Sequence, residues 1–291
     1  MQQYLAAHEA HLMWLFFACA FVVIGVAETF RPRKILSSST LRRWGAHAVL
    51  AAASIGVEAL YPIGSTAVAF LAVKNPWGLL NSAKIPLLMR CALAALALDL
   101  LRYGVHYLFH HNPLLWRIHR VHHSDRDFDL TTGVRNHPGE AIIMEAFQLA
   151  AIAILAPPPA AVIVVGIAGM GQSLLSHANV HLPESLDCFL RWFLITPDVH
   201  RVHHSERIEE QNANFGILFP WWDKLFGTWR AEPVEGHEAM RLGIEELRDG
   251  RSADVLYLLS LPFRHLPPAV PERSAAEPGR LAATAGRDAA R

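Results

Sequence analysis

Long apolar stretches alternate with polar, histidine-rich segments along this chain. The apolar stretches cover residues 12–27, 45–73, 86–109, 141–156 and 160–175. A helix of about 20 apolar residues crosses the hydrocarbon core of a bilayer, and several of the stretches approach that length. The pattern predicts an all-α integral membrane protein with four to five transmembrane or re-entrant helices. The polar segments between them are expected to form a helical cap.

Two of the stretches are interrupted by helix-breaking residues. Pro157-Pro158-Pro159 separates the last two, which predicts a helical hairpin with its turn deep in or across the bilayer. Each arm has about 16 residues, short of the roughly 20 of a full span, so spanning and re-entrant arrangements both stay open. The stretch 45–73 is interrupted at Pro62 and Gly64, and forms either one tilted or broken span or a short hairpin.

Basic residues after the first apolar stretch predict its orientation. They are Arg31, Arg33, Lys34, Arg42 and Arg43. Loops rich in Lys and Arg usually face the cytoplasm, so we expect an inner (cytoplasmic) membrane location with this loop inside. Because a hairpin returns the chain to the side it left, residues 106–140 and 177–230 should face the cytoplasm too. Lys74, Lys84 and Arg90 would then lie on the side opposite the cytoplasm, which departs from this preference of basic residues.

Composition narrows the functional classes. Of 291 residues, 52% are hydrophobic, and 26 Lys and Arg balance 26 Asp and Glu, so no net basic charge favours nucleic acid. Cys19, Cys91 and Cys188 have no paired spacing, which argues against disulfides and thiolate metal sites. We divide the chain into membrane anchor helices (1–85), a central domain that contains most of the histidines (86–232), a C-terminal helical extension (233–266) and a disordered tail (267–291).

Histidines carry the chemistry. The motif His-x-x-His-His occurs twice, and a His-x3-His pair precedes each copy. The ten residues are His106, His110, His119, His122, His123, His177, His181, His200, His203 and His204. Positions i, i+3 and i+4 share one face of a helix, so the three imidazoles of each triplet are expected to converge on one ion. The chain would then bind two ions.

A metal centre accounts for these residues better than structural roles do. Ten buried imidazoles without a shared partner would each lose about 1–3 kcal/mol in unsatisfied hydrogen bonds. Imidazole binds zinc, copper, iron and nickel, but a closed structural zinc site is usually rich in cysteine. About five nitrogens for each of two ions, with open positions for dioxygen, favour a non-haem diiron centre. Zinc can replace iron in purified protein.

Three further residues are candidates for the surroundings of the ions. Asp99 and Tyr103 share a helical stripe with the pair His106 and His110. Asp99 either orients an imidazole or pairs with Arg102 on its own helix, and the two hypotheses have equal weight. Asn214, after the second triplet, is a candidate hydrogen-bond partner for a water near the ions.

The order of the histidine motifs resembles the fatty acid hydroxylase/sterol desaturase superfamily of integral-membrane diiron oxygenases. The resemblance runs from about 90 to 230. Supporting matches are Trp116, the segment 127–135 (DFDLTTGVR), the segment 214–216 (NFG) and the segment 222–228 (WDKLFGT). The segment after the first triplet resembles the branch with alkylglycerol monooxygenase and bacterial sterol desaturase-like proteins. By the family pattern, the ten clustered histidines are the metal ligands.

The resemblance implies an oxidoreductase that uses O2 and external electrons on a membrane lipid. Hydroxylation of an unactivated C–H bond is favoured over desaturation, although no residue distinguishes the two outcomes. The fragment His137-Pro138-Gly139-Glu140 departs from the haem-binding His-Pro-Gly-Gly of cytochrome b5, so we expect a separate electron donor: a reductase, a ferredoxin or a cytochrome b5-like protein. A histidine-relay metal transporter is the alternative from another class, but it would need ionisable residues distributed through several spans.

Overall fold

The structure, a computed structural model, describes residues 2–75, 78–82 and 84–266. Within these ranges it is built from helices, and extended pairing is limited to two isolated bridges, Pro32 with Val180 and Ser205 with Leu242. The prediction of an all-α fold is confirmed for this part of the chain. The predicted tail, 267–291, lies outside the described residues.

The N-terminal half forms six α-helices and one short 3-10 helix. They are α1 (Gln2–Phe30), α2 (Thr40–Glu58), α3 (Ser65–Ala72), α4 (Leu79–Ser82), α5 (Leu87–His111), α6 (Pro113–His123) and the 3-10 helix Leu130–Val134. The predicted stretch 45–73 is divided between α2 and α3 by a turn that contains Pro62 and Gly64. The side chain of Asn112 accepts hydrogen bonds from the first backbone amides of α6, so α6 begins directly after α5.

The C-terminal half begins with the predicted hairpin. Its helices are α7 (Pro138–Leu155), α8 (Pro159–Ser176), α9 (Glu184–Leu190), α10 (Pro197–His203), α11 (Ile208–Gln211), α12 (Trp221–Phe226), α13 (Gly236–Ala239) and α14 (Val255–Ser260), with 3-10 helices at Gly250–Ala253 and Leu261–Phe263. The prolines after Ala156 begin α8, because proline at the first helical positions loses no intrahelical hydrogen bond.

Three helices are long and apolar enough to cross a membrane by length and composition. They are the segment Ala7–Phe30 of α1, and the two hairpin arms α7 and α8. Helix α5 has 25 residues, but Arg90, Asp99 and Arg102 interrupt its apolar surface. These apolar helices indicate a membrane protein.

The long helices pack around the hairpin. Helix α1 contacts α8, α2 and α3 contact α7, and α5 lies against both arms. Leu98 of α5, Ile152 of α7 and Val162 of α8 are buried in one apolar cluster. The histidine-bearing ends of α5, α6 and α8 are thereby held together.

The segment after residue 232 closes the side opposite the hairpin. Leu247, Leu258 and Leu261 pack against Leu50 of α2 and Val121 of α6 in a second buried cluster. Burial of a leucine side chain contributes about 1.5–3 kcal/mol. This packing fixes α6, the helix of the first triplet, from its outer face.

Candidate metal centre

Nine of the ten predicted histidines lie in two adjacent groups. The first histidine group contains His106, His110, His119, His123 and His203. The second histidine group contains His122, His177, His200 and His204. Within each group, one ring nitrogen from every residue lies within 4.8 Å of those of the others. Each group therefore offers enough imidazole nitrogens to surround one ion.

The structure corrects the expectation that each triplet serves one ion. In α6, His119 and His123 belong to the first group and His122 to the second. In and directly after α10, His203 belongs to the first group, whereas His200 and His204 belong to the second. Residues i and i+4 stay together because they lie one turn apart, while the intermediate residue points to the neighbouring group. Each triplet thus contributes to both groups.

His181, the tenth predicted ligand, lies apart from both histidine groups. Helix α8 ends at Ser176, so His177 and His181 do not occupy one helical face. The chain after His177 is extended, and the backbone amide of His181 donates to the carbonyl of Arg31. The side chain is exposed and lies outside both groups. The i, i+4 spacing brings two side chains to one face only where both residues lie on a helix, and α8 ends before His177.

Ring nitrogens face one another across the first group. Nε2 of His106 lies 3.1 Å from Nε2 of His119 and 3.0 Å from Nε2 of His203. The other nitrogen, Nδ1, lies 2.8 Å from the carbonyl of Phe215 for His106 and 2.7 Å from that of Ala213 for His203. A carbonyl only accepts, so the proton of each neutral ring belongs on Nδ1 and the lone pair on Nε2. These lone pairs point at each other.

The second group repeats this arrangement around His177. Nε2 of His177 lies 3.2 Å from Nε2 of His122 and 3.1 Å from Nε2 of His200. Nδ1 of His177 donates to the carbonyl of Ser173 at 2.7 Å, which leaves the lone pair on Nε2. Nε2 of His204 is buried without a hydrogen-bond partner among the described residues. This group too directs unprotonated nitrogens toward one point.

Burial keeps the imidazoles of His122, His177, His203 and His204 neutral. Desolvation lowers the pKa of His177 to about 4 and that of His203 to about 3. It also lowers the pKa of His122 and His204 well below the usual value, and the neighbouring histidines add to that effect. A neutral imidazole is the form that binds a metal ion, so the ligands are in the required state at neutral pH.

The donor set fits two metal ions. Nitrogens bound at about 2.1 Å and roughly at right angles are about 3 Å apart, which is the spacing of the facing nitrogens in both groups. A cation between lone pairs removes a repulsion that no hydrogen bond among the described residues relieves. Imidazole ligands without thiolate suit iron and zinc alike.

A carboxylate that the sequence analysis did not assign joins the first group. Oε1 of Glu140, in the first turn of α7, lies 3.0 Å from Nδ1 of His119. Its Oε2 is buried and has no hydrogen-bond partner among the described residues. The sequence signal was an acid at the start of an apolar helix, which is also explained by the helix dipole. Only the contact with His119 distinguishes the two roles.

A buried ion cluster, also missed, anchors the first triplet to α2. Arg43 binds Asp125 through Nη2 and Asp129 through Nη1, both at 2.7 Å. Asp125 also lies 3.3 Å from His47 and accepts a hydrogen bond from the hydroxyl of Thr132. Burial alone would raise the pKa of Asp125, but Arg43 and His47 outweigh burial and hold it well below its usual range. Asp125 follows His123 by two residues, so the cluster fixes the end of α6.

The three predicted neighbours of the ions have structural contacts instead. Asp99 accepts from the backbone amides of Leu218 and Phe219 and from the indole of Trp222. Among the described residues, Asp99 hydrogen-bonds to neither an imidazole nor Arg102, although Asp99 and Arg102 attract each other electrostatically. Pairing with Arg102 on α5 therefore stays a hypothesis. Tyr103 lies 3.0 Å from the hydroxyl of Thr228. Asp99 and Tyr103 therefore hold the segment 215–228 rather than an imidazole.

Asn214 also binds backbone rather than a position near the ions. Its side chain donates to the carbonyls of Val199 and Arg230, and it accepts from the amide of Arg230. Its φ of 56° lies in the left-handed region, which asparagine tolerates better than most residues. Asn214 thereby aligns the carbonyls of Ala213 and Phe215, which receive the protons of the first group.

A cavity of about 230 Å³ touches both groups, and we call it the histidine cavity. His106 and His119 line it from the first group, and His122, His177 and His200 from the second. The remaining lining includes Ser54, Glu58, Phe109, Glu140, Met144 and Ile217. The cavity therefore gives a molecule between the helices access to both sets of nitrogens.

The chain matches one known family. The family model described as fatty acid hydroxylase matches residues 91–228. This segment contains every member of both histidine groups and also Glu140. A search of solved structures gives no significant match.

Similar curated proteins are lipid hydroxylases and monooxygenases. Ornithine lipid hydroxylase OlsE of Rhizobium tropici is 33% identical over 133 residues, 45% of this chain and 39% of that protein. Alkylglycerol monooxygenase of Homo sapiens is 30% identical over 141 residues, 48% of this chain and 30% of that protein. Cholesterol 25-hydroxylase of Rattus norvegicus is 27% identical over 237 residues, 76% of this chain and 74% of that protein.

The match to the first two relatives thus spans well under half of their own length. The resemblance drawn from the motifs is confirmed: residues 91–228 match the fatty acid hydroxylase family, and the similar curated proteins include lipid hydroxylases and monooxygenases.

Proposed function

We propose that this protein is a membrane-bound non-haem diiron oxygenase that hydroxylates an unactivated C–H bond of a lipid, with O2 and external electrons. The observation that carries the proposal is the pair of histidine groups on one shared cavity. The family and its relatives, named as lipid hydroxylases and monooxygenases, support an oxidoreductase that acts on lipids.

The proposed ligands are the nine histidines of the two groups. Iron bound there would supply the activation of O2 and the oxidation of the C–H bond. The protein's own residues prepare the site: carbonyls of Ser173, Ala213 and Phe215 hold protons on Nδ1, so that Nε2 stays free to bind. Glu140 holds His119 in the same tautomer, and its Oε2 is buried without a hydrogen-bond partner among the described residues.

The cavity wall favours a lipid carbon. Phe109, Met144 and Ile217 present apolar surface beside the nitrogens. Such surface excludes water from a reactive centre and accommodates an alkyl chain that enters between helices. Desaturation remains the alternative reaction, and the names of the relatives favour hydroxylation. A histidine-relay transporter is disfavoured, because the nine histidines gather at one end of the helices instead of lining a path.

The proposed membrane arrangement keeps the predicted orientation. Beyond the three apolar helices, we assign α5 and the broken pair α2–α3 to the membrane region, which gives the four to five elements expected. Arg33 and Arg43, from the basic segment after α1, pair with Asp198 and Asp125 beside the histidine groups. This supports a cytoplasmic active site in the inner membrane. The domain boundaries at 85, 232 and 266 stay predictions.

Electrons would come from a separate protein donor at a basic cavity of about 440 Å³. The basic cavity is lined by five cationic residues, Lys34, Arg126, Arg201, Arg241 and Arg248, by one acid, Asp127, and by Phe128. The ring of Phe128 lies 5.1 Å from that of His204 and 5.5 Å from that of His177. Positive charge attracts an acidic partner. A donor bound at the basic cavity would be separated from the second histidine group only by the side chain of Phe128.

The decisive experiment compares cells that express the wild type or His122→Ala with iron in the medium. Hydroxylation predicts a lipid that gains the mass of one oxygen atom in the wild type only, and desaturation predicts the loss of two hydrogens. Identical lipid profiles, with the wild-type protein shown to contain iron, would refute the oxygenase proposal. Equal metal content in both proteins would refute the ligand assignment.

A further inference from the structure

Three charged side chains lie among the membrane-side helices, apart from the histidine groups. Glu58 ends α2, Arg102 lies in α5 and Glu145 lies in α7. All three line a second cavity of about 300 Å³, which we call the polar cavity. Ionisable side chains among apolar helices are costly and usually serve a bound group or a transport path. The metal chemistry does not use these residues.

The polar cavity adjoins the histidine cavity. Glu58 and Met144 line both. A molecule whose reacting carbon lies beside the imidazoles would reach the polar cavity by passing Glu58 and Met144. The two cavities lie side by side between α2, α5 and α7.

One amide holds two of the three charges. Gln148 accepts from Nη2 of Arg102 at 2.8 Å and donates to Ser65 at 2.9 Å and to Glu145 at 3.4 Å. Ser65 in turn donates to Glu145 at 2.9 Å. Gln148 thus keeps the guanidinium and the carboxylate in fixed positions on the cavity wall.

The third charge has no such partner. Glu58 is exposed at the end of α2, and it makes no hydrogen bond or ion pair with any residue in the described ranges 2–75, 78–82 and 84–266. When all three groups are ionised, two carboxylates face one guanidinium, which Asp99 also attracts, so at least one negative charge on the cavity wall is uncompensated. A ligand with a positive charge and an adjacent oxygen would match all three groups.

We propose that the polar cavity binds the ammonium group of an amine-bearing lipid substrate. Glu58 and Glu145 accept its hydrogen bonds, and Arg102 binds a neighbouring oxygen of the same polar group. The proposal rests on the proposed oxygenase function and names the substrate class of its site. A hydrocarbon or a lone hydroxyl would leave a carboxylate uncompensated and is a poorer fit.

Helix geometry sets the distance from this polar group to the oxidised carbon. Arg102 precedes the ligand His106 by four residues, and Glu145 follows Glu140 by five. At 1.5 Å per residue these separations are about 6 Å and about 7.5 Å along α5 and α7. The oxidised carbon should therefore lie within about 6–8 Å of the ammonium nitrogen.

Binding can be tested without turnover. Zinc-loaded protein in detergent is titrated at pH 7 with tritiated hexadecylamine, and then with hexadecanol as competitor. The wild type should bind the amine saturably and at least about tenfold more tightly than the alcohol. Glu58→Gln and Glu145→Gln should each weaken amine binding by about tenfold and leave alcohol binding unchanged.

Glu9→Gln is the matched control. Glu9 lies in α1 and accepts from Thr66 at 2.7 Å, outside the lining of both cavities. It should bind the amine like the wild type. If Glu145→Gln loses zinc through misfolding, Glu58→Gln decides, because its carboxylate has no described partner to lose.

Three results would overturn the inference: no saturable amine binding, equal affinity for amine and alcohol, or unchanged affinity in Glu58→Gln. None of these depends on oxygenation. Amine binding without any lipid oxidation by the iron-loaded protein would count against the oxygenase function alone. Oxidation of a lipid by a protein that does not bind the amine would count against the substrate class alone.

Discussion

Nδ1 of His119 lies 3.0 Å from Oε1 of Glu140, and Nε2 on the opposite side of the same ring faces His106. The carboxylate can only accept when ionised, so it keeps the proton of His119 on Nδ1. A carboxylate in this position also raises the basicity of the imidazole toward a metal ion. The start of the hairpin helix α7 is thereby coupled to the first histidine group.

Glu140→Gln is expected to weaken metal binding in the first group by about 10–100-fold, because the amide no longer enforces the tautomer of His119. Zinc titration against a competing chelator measures this. Glu209→Gln, at an exposed position of α11, is the control and should bind like the wild type. Unchanged affinity in Glu140→Gln would assign Glu140 to the helix terminus alone.

His177 and His181 form a matched pair for testing the corrected ligand set. His177→Ala should lose about one of the two metal ions, because His177 is the residue that Nε2 of both His122 and His200 face. His181→Ala should keep both ions, since its side chain is exposed and outside both groups. Metal per protein, measured by inductively coupled plasma mass spectrometry, distinguishes them. Metal loss in His181→Ala would restore it as a ligand.

Arg43→Met should destabilise the protein by about 3–5 kcal/mol, because it leaves the buried carboxylates of Asp125 and Asp129 without their cation. Denaturation in detergent gives the free energy of unfolding. Arg42→Met, one position earlier and exposed, should change stability by less than about 0.5 kcal/mol. If Arg43→Met lowered the free energy of unfolding as little as Arg42→Met does, the ion cluster would contribute no net stability.

The contribution of Asp129 should depend on pH. Burial alone would raise its pKa, but Arg43 and the Thr131 hydroxyl more than offset burial and lower it from its usual value. A lowered folded-state pKa stabilises above the unfolded value of about 3.9, and the stabilisation is lost as pH falls through the folded value. The stability difference between wild type and Asp129→Asn should therefore be constant from pH 7 to about 5 and shrink below about 4. A difference that grows on acidification would contradict this sign.

Arg126→Glu tests the basic cavity as the contact surface for an electron donor. Charge reversal should slow reduction of the iron protein by a reduced acidic ferredoxin about tenfold at low salt, because attraction to the partner is lost. Reduction by dithionite, which needs no docked protein, should be unchanged. Stopped-flow absorbance follows both reactions, and Arg207→Glu, outside the cavity lining, is the control. Equal slowing with both reductants would indicate a damaged metal centre instead.

The sequence alone predicted the features that depend on local spacing. Apolar runs longer than about 16 residues predicted the long helices, and Pro157-Pro158-Pro159 predicted the hairpin turn between α7 and α8. The histidine motifs predicted the residues that gather in the two groups, nine of the ten, because i and i+4 neighbours stay together on any helix. The same motifs identified the family.

Local spacing does not predict a contact where the helix ends between the two residues, or where the contacting residue is distant in sequence. His181 has the i, i+4 spacing from His177, but α8 had already ended. Asp99 lies on the stripe of His106, but its hydrogen bonds go to residues 218, 219 and 222, more than a hundred positions away. No local pattern encodes such a contact.

The set of helices and the imidazole side chains that they carry can therefore be predicted from the sequence alone. Tertiary packing determines which imidazoles gather in one group, and it brings Glu140 to His119 and Arg43 to Asp125. The physical reason is one of range. Helix periodicity is fixed by bonds between residues four apart, whereas the division of a triplet between two groups depends on how α5, α6, α8 and α10 pack.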